Sequence, residues 1–183
     1  MNDFLESDIF FSFGEKEWSV MKYDDNLAHL KVEKVLKPTK AVDFLGIHKD
    51  SRLFFIEVKN YRGHTMDQST QEVLSAGGEE LMRRIAVKVR DTIATATGSA
   101  RFSTNDQDFF TEVNRLMLDN GKKLVIVACI ELDIANEKEY KAKLGIWQQK
   151  LKQKLSWLNA ARVSINSVDN IPAVVPDLRV SFV

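Results

Sequence analysis

Apolar and polar residues alternate along residues 41–64, and this alternation predicts a β-hairpin. Because side chains point alternately to the two faces of a strand, the second strand of the hairpin has one wholly apolar face. That face consists of Phe54, Ile56 and Val58. The opposite face carries Phe55, Glu57 and Lys59. We therefore expect one side of this strand to be buried and the other to hold two neighbouring charged groups.

The polar stretch Lys49-Asp50-Ser51 marks the connection between the two strands. If these residues form a three-residue loop, Asp43 of the first strand (residues 41–47) directly faces Glu57, with Cβ atoms roughly 5 Å apart. A two-residue loop would instead place Asp43 opposite Ile56, on the apolar face. The three-residue loop is therefore the one that brings the two carboxylates together.

Two facing carboxylates repel each other unless a positive charge lies between them, and a divalent cation would supply it. Mg²⁺ binds one or two carboxylates, keeps several waters and takes further ligands from phosphate oxygens. The backbone carbonyl of Val58 is a candidate additional ligand. Lys59 would lie beside the cation, where it could hold a water or a phosphate oxygen or stabilise charge in the transition state.

The pattern of Asp43, thirteen intervening residues and then Glu57-Val58-Lys59 resembles the signature of the PD-(D/E)xK nuclease superfamily. The resemblance implies a restriction-endonuclease-like fold and metal-dependent hydrolysis of phosphodiester bonds. It also implies that Asp43 and Glu57 bind Mg²⁺ or Mn²⁺ and that Lys59 is the catalytic lysine. Val42 stands where the signature often has proline. The competing interpretation is a solvated hairpin edge, at which Asp43 and Lys59 form a weak surface ion pair.

Periodicity elsewhere predicts further helices and strands. The predicted helices are residues 27–36, 79–96, 103–118 and 137–158, and the predicted strands are 18–23, 122–131 and 163–168. For residues 1–13 a helix capped by Asp3 is favoured over a strand at residues 9–13. Residues 60–78 are expected to be a loop, and residues 169–183 an irregular tail or a late strand.

This order of elements resembles the αβββαβ core of the superfamily. We expect an α/β protein with a mixed central sheet flanked by helices, in which the helix at residues 103–118 is an extra element before the fourth strand. The apolar run LVIVACI in residues 124–130 is typical of a strand buried on both faces. The length of 183 residues predicts a single domain that spans residues 1–183.

The amino-acid composition limits the classes of function that the chain can have. The formal net charge is zero, which argues mildly against strong non-specific DNA binding but allows a local basic groove. Cys129 is the only cysteine, so the chain forms no intrachain disulfide. The sequence shows neither a signal peptide nor an apolar run long enough to span a membrane. We expect a soluble, cytoplasmic protein with no membrane partner.

Several charged residues are candidates for supporting roles. A fourth site residue of the superfamily is often acidic, and the candidates for it are Glu15, Glu17 and Asp24, of which we favour Glu17. Candidate nucleic-acid contacts are Arg62, His64, Arg84 and Lys88. The last two lie four residues apart and therefore share a face of the predicted helix. For each residue the alternative is an ordinary solvated position.

Together these features lead us to expect a metal-dependent nuclease that acts on nucleic acid, with DNA as the expected substrate. The alternative is a non-catalytic nucleic-acid-binding or assembly protein that retains the nuclease fold, which the neutral net charge favours. A third expectation is a nuclease that is active only as a homodimer or with a partner subunit.

Overall fold

Helices and strands follow one another in the order that the hydrophobic pattern predicts from residue 18 onward. The computed structural model describes residues 2–121 and 123–183. Met1 and Lys122 lie outside the described residues, and Lys122 is the first residue of the strand predicted at 122–131. The elements are β1 (Asn2–Glu6), β2 (Ile9–Phe13), β3 (Trp18–Lys22), α1 (Leu27–Val35), β4 (Phe44–His48), β5 (Arg52–Asn60), α2 (Gln68–Phe102), α3 (Gln107–Leu118), β6 (Leu124–Glu131), α4 (Glu137–Lys154), β7 (Arg162–Asn166) and β8 (Leu178–Phe182).

Five of the strands form a mixed central sheet in the order β3-β4-β5-β6-β7. The first three are mutually antiparallel, whereas β6 runs parallel to β5 and β7 parallel to β6. All eight residues of β6 are buried, which confirms the prediction of a strand covered on both faces. The chain is thus a mixed α/β protein, and α3 is the predicted extra helix before β6.

The central hairpin has the predicted register. Phe44 pairs with Ile56, and residues 49–51 form the loop between β4 and β5. Lys49 and Asp50 both adopt left-handed backbone conformations, with φ of 49° at each, and these close the turn. The first strand begins at Phe44 and not at the predicted residue 41, so Asp43 lies immediately before the strand.

The four helices cover only one face of the central sheet. Side chains of α2 such as Leu81 and Val89 pack there against Leu45 and Phe55. The other face is covered by a second, antiparallel sheet in the order β1-β2-β8. The prediction of a sheet flanked by helices is therefore wrong for this second face.

The N-terminal segment is a hairpin, so the predicted helix is wrong and the alternative strand at residues 9–13 is confirmed. Ser7 and Asp8 have φ of 52° and 60°, and this pair of left-handed residues forms the tight turn between β1 and β2. The aromatic rings of β2 fill the space over the central sheet, where Phe11 and Phe44 have ring centroids 5.1 Å apart. β8 pairs with β2, which confirms the late strand predicted for the tail.

The long helix α2 begins earlier and ends later than predicted. It already starts at Gln68, inside the predicted loop, but residues 75–78 have non-helical backbone angles that divide it into two segments. Lys150 of α4 donates hydrogen bonds to the carbonyls of Ala76 and Gly77 at this break, across 3.2 and 2.8 Å. Gly78 has φ of 75°, and a Cβ there would overlap the indole of Trp147.

α4 is shorter than predicted, because it ends at Lys154 and a short 3-10 turn at Ser156–Leu158 follows it. The predicted strand at residues 163–168 is shifted slightly and forms β7. Within the described part of the chain, none of the helices combines the length and apolarity that crossing a membrane requires.

Candidate functional site

Asp43 and Glu57 meet at one end of the central hairpin. The backbone N–H of Val58 donates a hydrogen bond to Oδ2 of Asp43 across 2.6 Å. The Asp43 side chain thus takes the place of a backbone carbonyl as the acceptor for this N–H, immediately before β4 begins. Both acids are deeply buried, with 3% of Asp43 and 1% of Glu57 exposed. The structure therefore brings together the two carboxylates that the register predicts.

Helix α2 holds the segment that carries Asp43. The backbone N–H of Lys40 donates to Oδ2 of Asp91 across 3.1 Å, and that of Val42 donates to Oγ1 of Thr92 across 2.9 Å. These bonds satisfy two backbone donors that have no strand partner. The position of Asp43 therefore depends on a helix far from it in sequence as well as on the hairpin.

Two lysines neutralise the carboxylate pair. Nζ of Lys88 lies 3.1 Å from Oδ1 of Asp43 and 2.8 Å from Oε1 of Glu57. Nζ of Lys59 lies 2.5 Å from the same oxygen of Glu57 and donates to the carbonyl of Val58 across 2.8 Å. The ammonium of Lys88 thus lies between the two acids, where the sequence predicts a cation, and Lys59 contacts two of the predicted metal ligands.

Burial shapes the acid–base properties of Glu57. Removal from water, with a smaller contribution from the charge of Asp43, raises the pKa of Glu57 to about 7 despite the nearby lysines. Its Oε1 has only the ion pairs with Lys59 and Lys88, and its Oε2 is buried without a hydrogen-bond partner in the described part of the chain. A carboxylate oxygen in that state has an unused capacity to bind a cation or a proton.

The charge of Lys59 is retained in this environment. Burial lowers the pKa of Lys59, but the negative charges of Glu57 and Asp43 outweigh burial, and the net pKa is raised. Lys59 is therefore an ammonium at neutral pH and an electrostatic group, not a base.

The donor set fits a small divalent cation. Two carboxylates and one backbone carbonyl are hard oxygen ligands of the kind that Mg²⁺ and Mn²⁺ prefer. Among the described residues, none forms a hydrogen bond with the buried Oε2 of Glu57 that would compete with a cation. No cluster of three or more His, Cys, Asp or Glu side chains suited to a metal is found within residues 2–121 and 123–183. Asp43, Glu57 and the carbonyl of Val58 would therefore rely on water or phosphate oxygens for the remaining ligands.

The acid that the sequence favours as an additional site residue, Glu17, is not brought to this pair. Its carbonyl accepts a hydrogen bond from the backbone N–H of Lys49 at the loop end of the hairpin, roughly 20 Å from Asp43 at about 3.3 Å per strand residue. Because β3 runs antiparallel to β4, the residues that follow β3 are the ones that meet Asp43. Asp24 lies there, and burial together with the charge of Asp43 raises the pKa of Asp24 to about 6.

A further acid near the site, Glu6, was missed by sequence reasoning. Oε2 of Glu6 lies 3.0 Å from Nζ of Lys22, and its charge contributes to the raised pKa values of Asp24 and Lys59. Because a helix is predicted in residues 1–13, the sequence does not place Glu6 near the site. Residues 2–6, NDFLE, do not alternate between polar and apolar side chains, so the sequence offers no clear signal for this strand.

A cleft of about 450 Å³ lies beside Glu57 and runs along α2. Its lining is mainly basic and consists of Pro38, Lys40, Glu57, Lys59, Glu80, Arg83, Arg84, Val87 and Lys88. Glu80 forms ion pairs with Arg83 and Arg84 at 2.7 and 2.8 Å. Five cationic side chains against two acids make this a favourable site for phosphate groups. Arg84 and Lys88, two of the predicted nucleic-acid contacts, both line it.

The other two predicted contacts, Arg62 and His64, do not line this cleft. The Arg62 guanidinium lies 4.2 Å from the ring centroid of Phe182, and Nδ1 of His64 lies 3.0 Å from Oδ2 of Asp67. Tyr61, which precedes Arg62, is close enough to the site for the charge of Glu57 to act on it. Burial and the charge of Glu57 raise the pKa of Tyr61 to about 12, so its hydroxyl stays protonated at neutral pH.

Comparison of the chain with protein-family models, with curated proteins and with solved structures found no match. The function of the chain must therefore be argued from the carboxylate pair, its two lysines and the basic cleft. This combination can bind a cation, bind phosphates and present an ammonium to developing negative charge.

Proposed function

We propose that the chain is a metal-dependent nuclease that hydrolyses phosphodiester bonds in nucleic acid, with DNA as the expected substrate. The observation that carries the proposal is the convergence of Asp43 and Glu57 with Lys59 at the base of a basic cleft. The strand order supports a restriction-endonuclease-like fold, because the antiparallel strands β3, β4 and β5 precede the long helix α2 and β6 then returns parallel to β5.

Asp43, Glu57 and the carbonyl of Val58 are the residues that would hold Mg²⁺ or Mn²⁺. When bound, such an ion lowers the pKa of a water ligand and polarises a phosphate oxygen. Burial of both carboxylates strengthens their attraction for a cation, because little water screens the charges.

The basic residues act on the nucleic acid. Lys59 is charged and contacts Glu57 and the Val58 carbonyl, so it orients the attacking water and stabilises the negative charge that develops on the phosphorus oxygens. Arg83 and Arg84 line the cleft and bind the neighbouring phosphates, for which a guanidinium offers paired donors.

The decisive experiment is a cleavage assay on the purified chain with labelled DNA and RNA, with Mg²⁺, with Mn²⁺ and with a chelator. Lys59→Met should lower the single-turnover rate by about 10²–10³-fold, the usual effect of losing one stabilising donor. The matched control is Asp108→Asn, an exposed acid in the first turn of α3, which should retain the full rate. Wild-type cleavage by the Lys59→Met variant would refute the role of Lys59. No metal-dependent cleavage of either substrate by the wild type would refute the proposal that the chain is a nuclease on its own.

The second candidate is a non-catalytic nucleic-acid-binding or assembly protein that retains this fold. The observation in its favour is the ammonium of Lys88, which already neutralises both carboxylates. Calorimetric titration with Mn²⁺ separates the two candidates. A nuclease site binds Mn²⁺ and loses that binding in Asp43→Asn, whereas a scaffold binds no Mn²⁺ in either form. A chain that binds Mn²⁺ but cleaves nothing alone would point to a partner subunit or a homodimer.

A further inference from the structure

Lys88 bridges the two halves of the candidate site. Among the described residues it alone forms ion pairs with both carboxylates, at 3.1 Å from Asp43 and 2.8 Å from Glu57. Its side chain is 20% exposed and lines the cleft that contains Arg83 and Arg84. The same ammonium thus touches the carboxylates and faces the space in which a phosphate would lie.

The carboxylate pair already has two cationic partners. Two carboxylates face the two ammoniums of Lys59 and Lys88. A divalent cation on the same carboxylates would leave two excess positive charges in a place that is screened little by water. One ammonium must therefore move away when such a cation binds.

Lys88 is the lysine that is free to move. Lys59 has a second bond, to the carbonyl of Val58, within its own strand, whereas the Lys88 ammonium pairs, among the described residues, with the two carboxylates alone. Its flexible four-carbon stem can carry the charge into the cleft, towards Arg84 one helical turn away on α2.

We propose that Lys88 is a displaceable counter-ion of the carboxylate pair. At rest it holds Asp43 and Glu57 together, and it leaves them when a divalent cation binds and then contacts a phosphate of the nucleic acid in the cleft. This inference rests on the proposed nuclease function. It implies that divalent cation and nucleic acid bind cooperatively, because each stabilises the displaced position of Lys88, and such coupling is reciprocal.

Calorimetric titration of the full chain with Mn²⁺ tests the displacement. Lys88→Gln should bind Mn²⁺ about tenfold more tightly than the wild type or better, within the usual range for coupled sites, because the competing ammonium is gone. Arg84→Gln is the matched control, since it removes one positive charge from the same cleft without touching the carboxylates. An affinity in Lys88→Gln that is no higher than in the wild type, or no higher than in Arg84→Gln, would overturn the proposal.

A second titration tests the coupling in the wild type, so the proposal stays testable even if Lys88→Gln does not fold. A short phosphorothioate DNA duplex should tighten Mn²⁺ binding by the wild type. In Lys88→Gln, if it folds, the effect should be smaller, because only the coupling through phosphate oxygens on the metal remains. Mn²⁺ affinity of the wild type that does not change with the duplex contradicts the proposal. If the wild type binds no Mn²⁺ at all, the nuclease proposal fails too. If it binds Mn²⁺ but neither Lys88→Gln nor the duplex tightens that binding, only the Lys88 proposal fails.

Discussion

The backbone N–H of Val58 donates to Oδ2 of Asp43 across 2.6 Å, and this bond joins the start of β4 to the strand segment that carries Glu57. Asp43→Ala would leave that buried donor unsatisfied, which costs about 1–3 kcal/mol. Asp43→Asn keeps an acceptor oxygen in place. We expect chemical denaturation to show the Ala variant destabilised by that amount and the Asn variant to be closer to the wild type. Equal stability of the two variants would contradict a structural role for the bond.

Glu57→Gln should make the folded protein more stable at neutral and higher pH. The folded-state pKa of Glu57 is about 7 against 4.5 for an ordinary glutamate, so ionising this group opposes folding. The difference corresponds to about 3 kcal/mol at most. We expect chemical denaturation at pH 8, without divalent cations, to show that the unfolding free energy of the Gln variant exceeds that of the wild type by up to this amount.

The sign of this effect sets its pH window. Between pH 4.5 and about 7 the folded wild type binds more protons at Glu57 than the unfolded chain does. Its stability therefore falls as pH rises through this window and is constant on either side, as far as this group is concerned. The Gln variant lacks this pH-dependent contribution, so plots of unfolding free energy against pH for the wild type and the variant should converge near pH 4.5. A gap between them that does not change with pH would rule out this explanation.

Thr92→Val tests the support that α2 gives to Asp43. The substitution keeps the shape of the side chain but removes the acceptor of the Val42 N–H, and the loss should cost about 1–3 kcal/mol. Because the segment next to Asp43 loosens, Mn²⁺ affinity should fall as well. Thr97→Val, an exposed position on the same helix, is the control and should change neither quantity. Unchanged Mn²⁺ binding in a destabilised Thr92→Val protein would limit Thr92 to a role in folding.

Asp24→Asn and Glu17→Gln distinguish the two ends of the central sheet. Asp24 lies close enough to Asp43 for that charge to raise the pKa of Asp24, whereas Glu17 lies at the loop end. We expect Asp24→Asn to weaken Mn²⁺ binding several-fold, as loss of a nearby negative charge should, and Glu17→Gln to leave it unchanged. Weaker Mn²⁺ binding in Glu17→Gln and unchanged binding in Asp24→Asn would instead identify Glu17 as the additional acid of the site.

Gly78→Ala tests the packing of α2 on α4. The glycine has φ of 75°, and a Cβ there would overlap Trp147, so strain and overpacking should together destabilise the protein by about 2 kcal/mol or more. Gly145→Ala is the control, because a Cβ at that position in α4 meets no atom within 4 Å. It should be neutral or stabilise the helix by up to about 1 kcal/mol. Thermal melting of both variants measures the difference.

Features that depend on near neighbours were predictable from the sequence. The hairpin register follows from the alternation of residues 52–60 and from the length of the loop at residues 49–51, and the structure has the same pairing. The burial of β6 follows from its continuous apolar run. In both cases the pattern reports which face of an element must leave water, and that requirement is local.

Features that depend on distant partners were not predictable in the same way. The N-terminal segment is a hairpin because β2 pairs with β8 from the other end of the chain and because its aromatic rings cover Phe44. Neither partner is visible in the periodicity of residues 1–13. The same limit explains the choice of Glu17 over Asp24, since the direction of β3 against β4 fixes which end of the strand meets Asp43.

The amino-acid sequence alone was enough to place Asp43, Glu57 and Lys59 on one hairpin, because period and loop length specify facing residues. It predicted a positive charge between the two acids but not which group of the chain would supply it. That place is taken by Lys88, which comes from a helix that begins after β5 and packs back over it. The burial of apolar surface on both faces of the sheet fixes where this helix lies, and the contact exists only once the whole core has assembled.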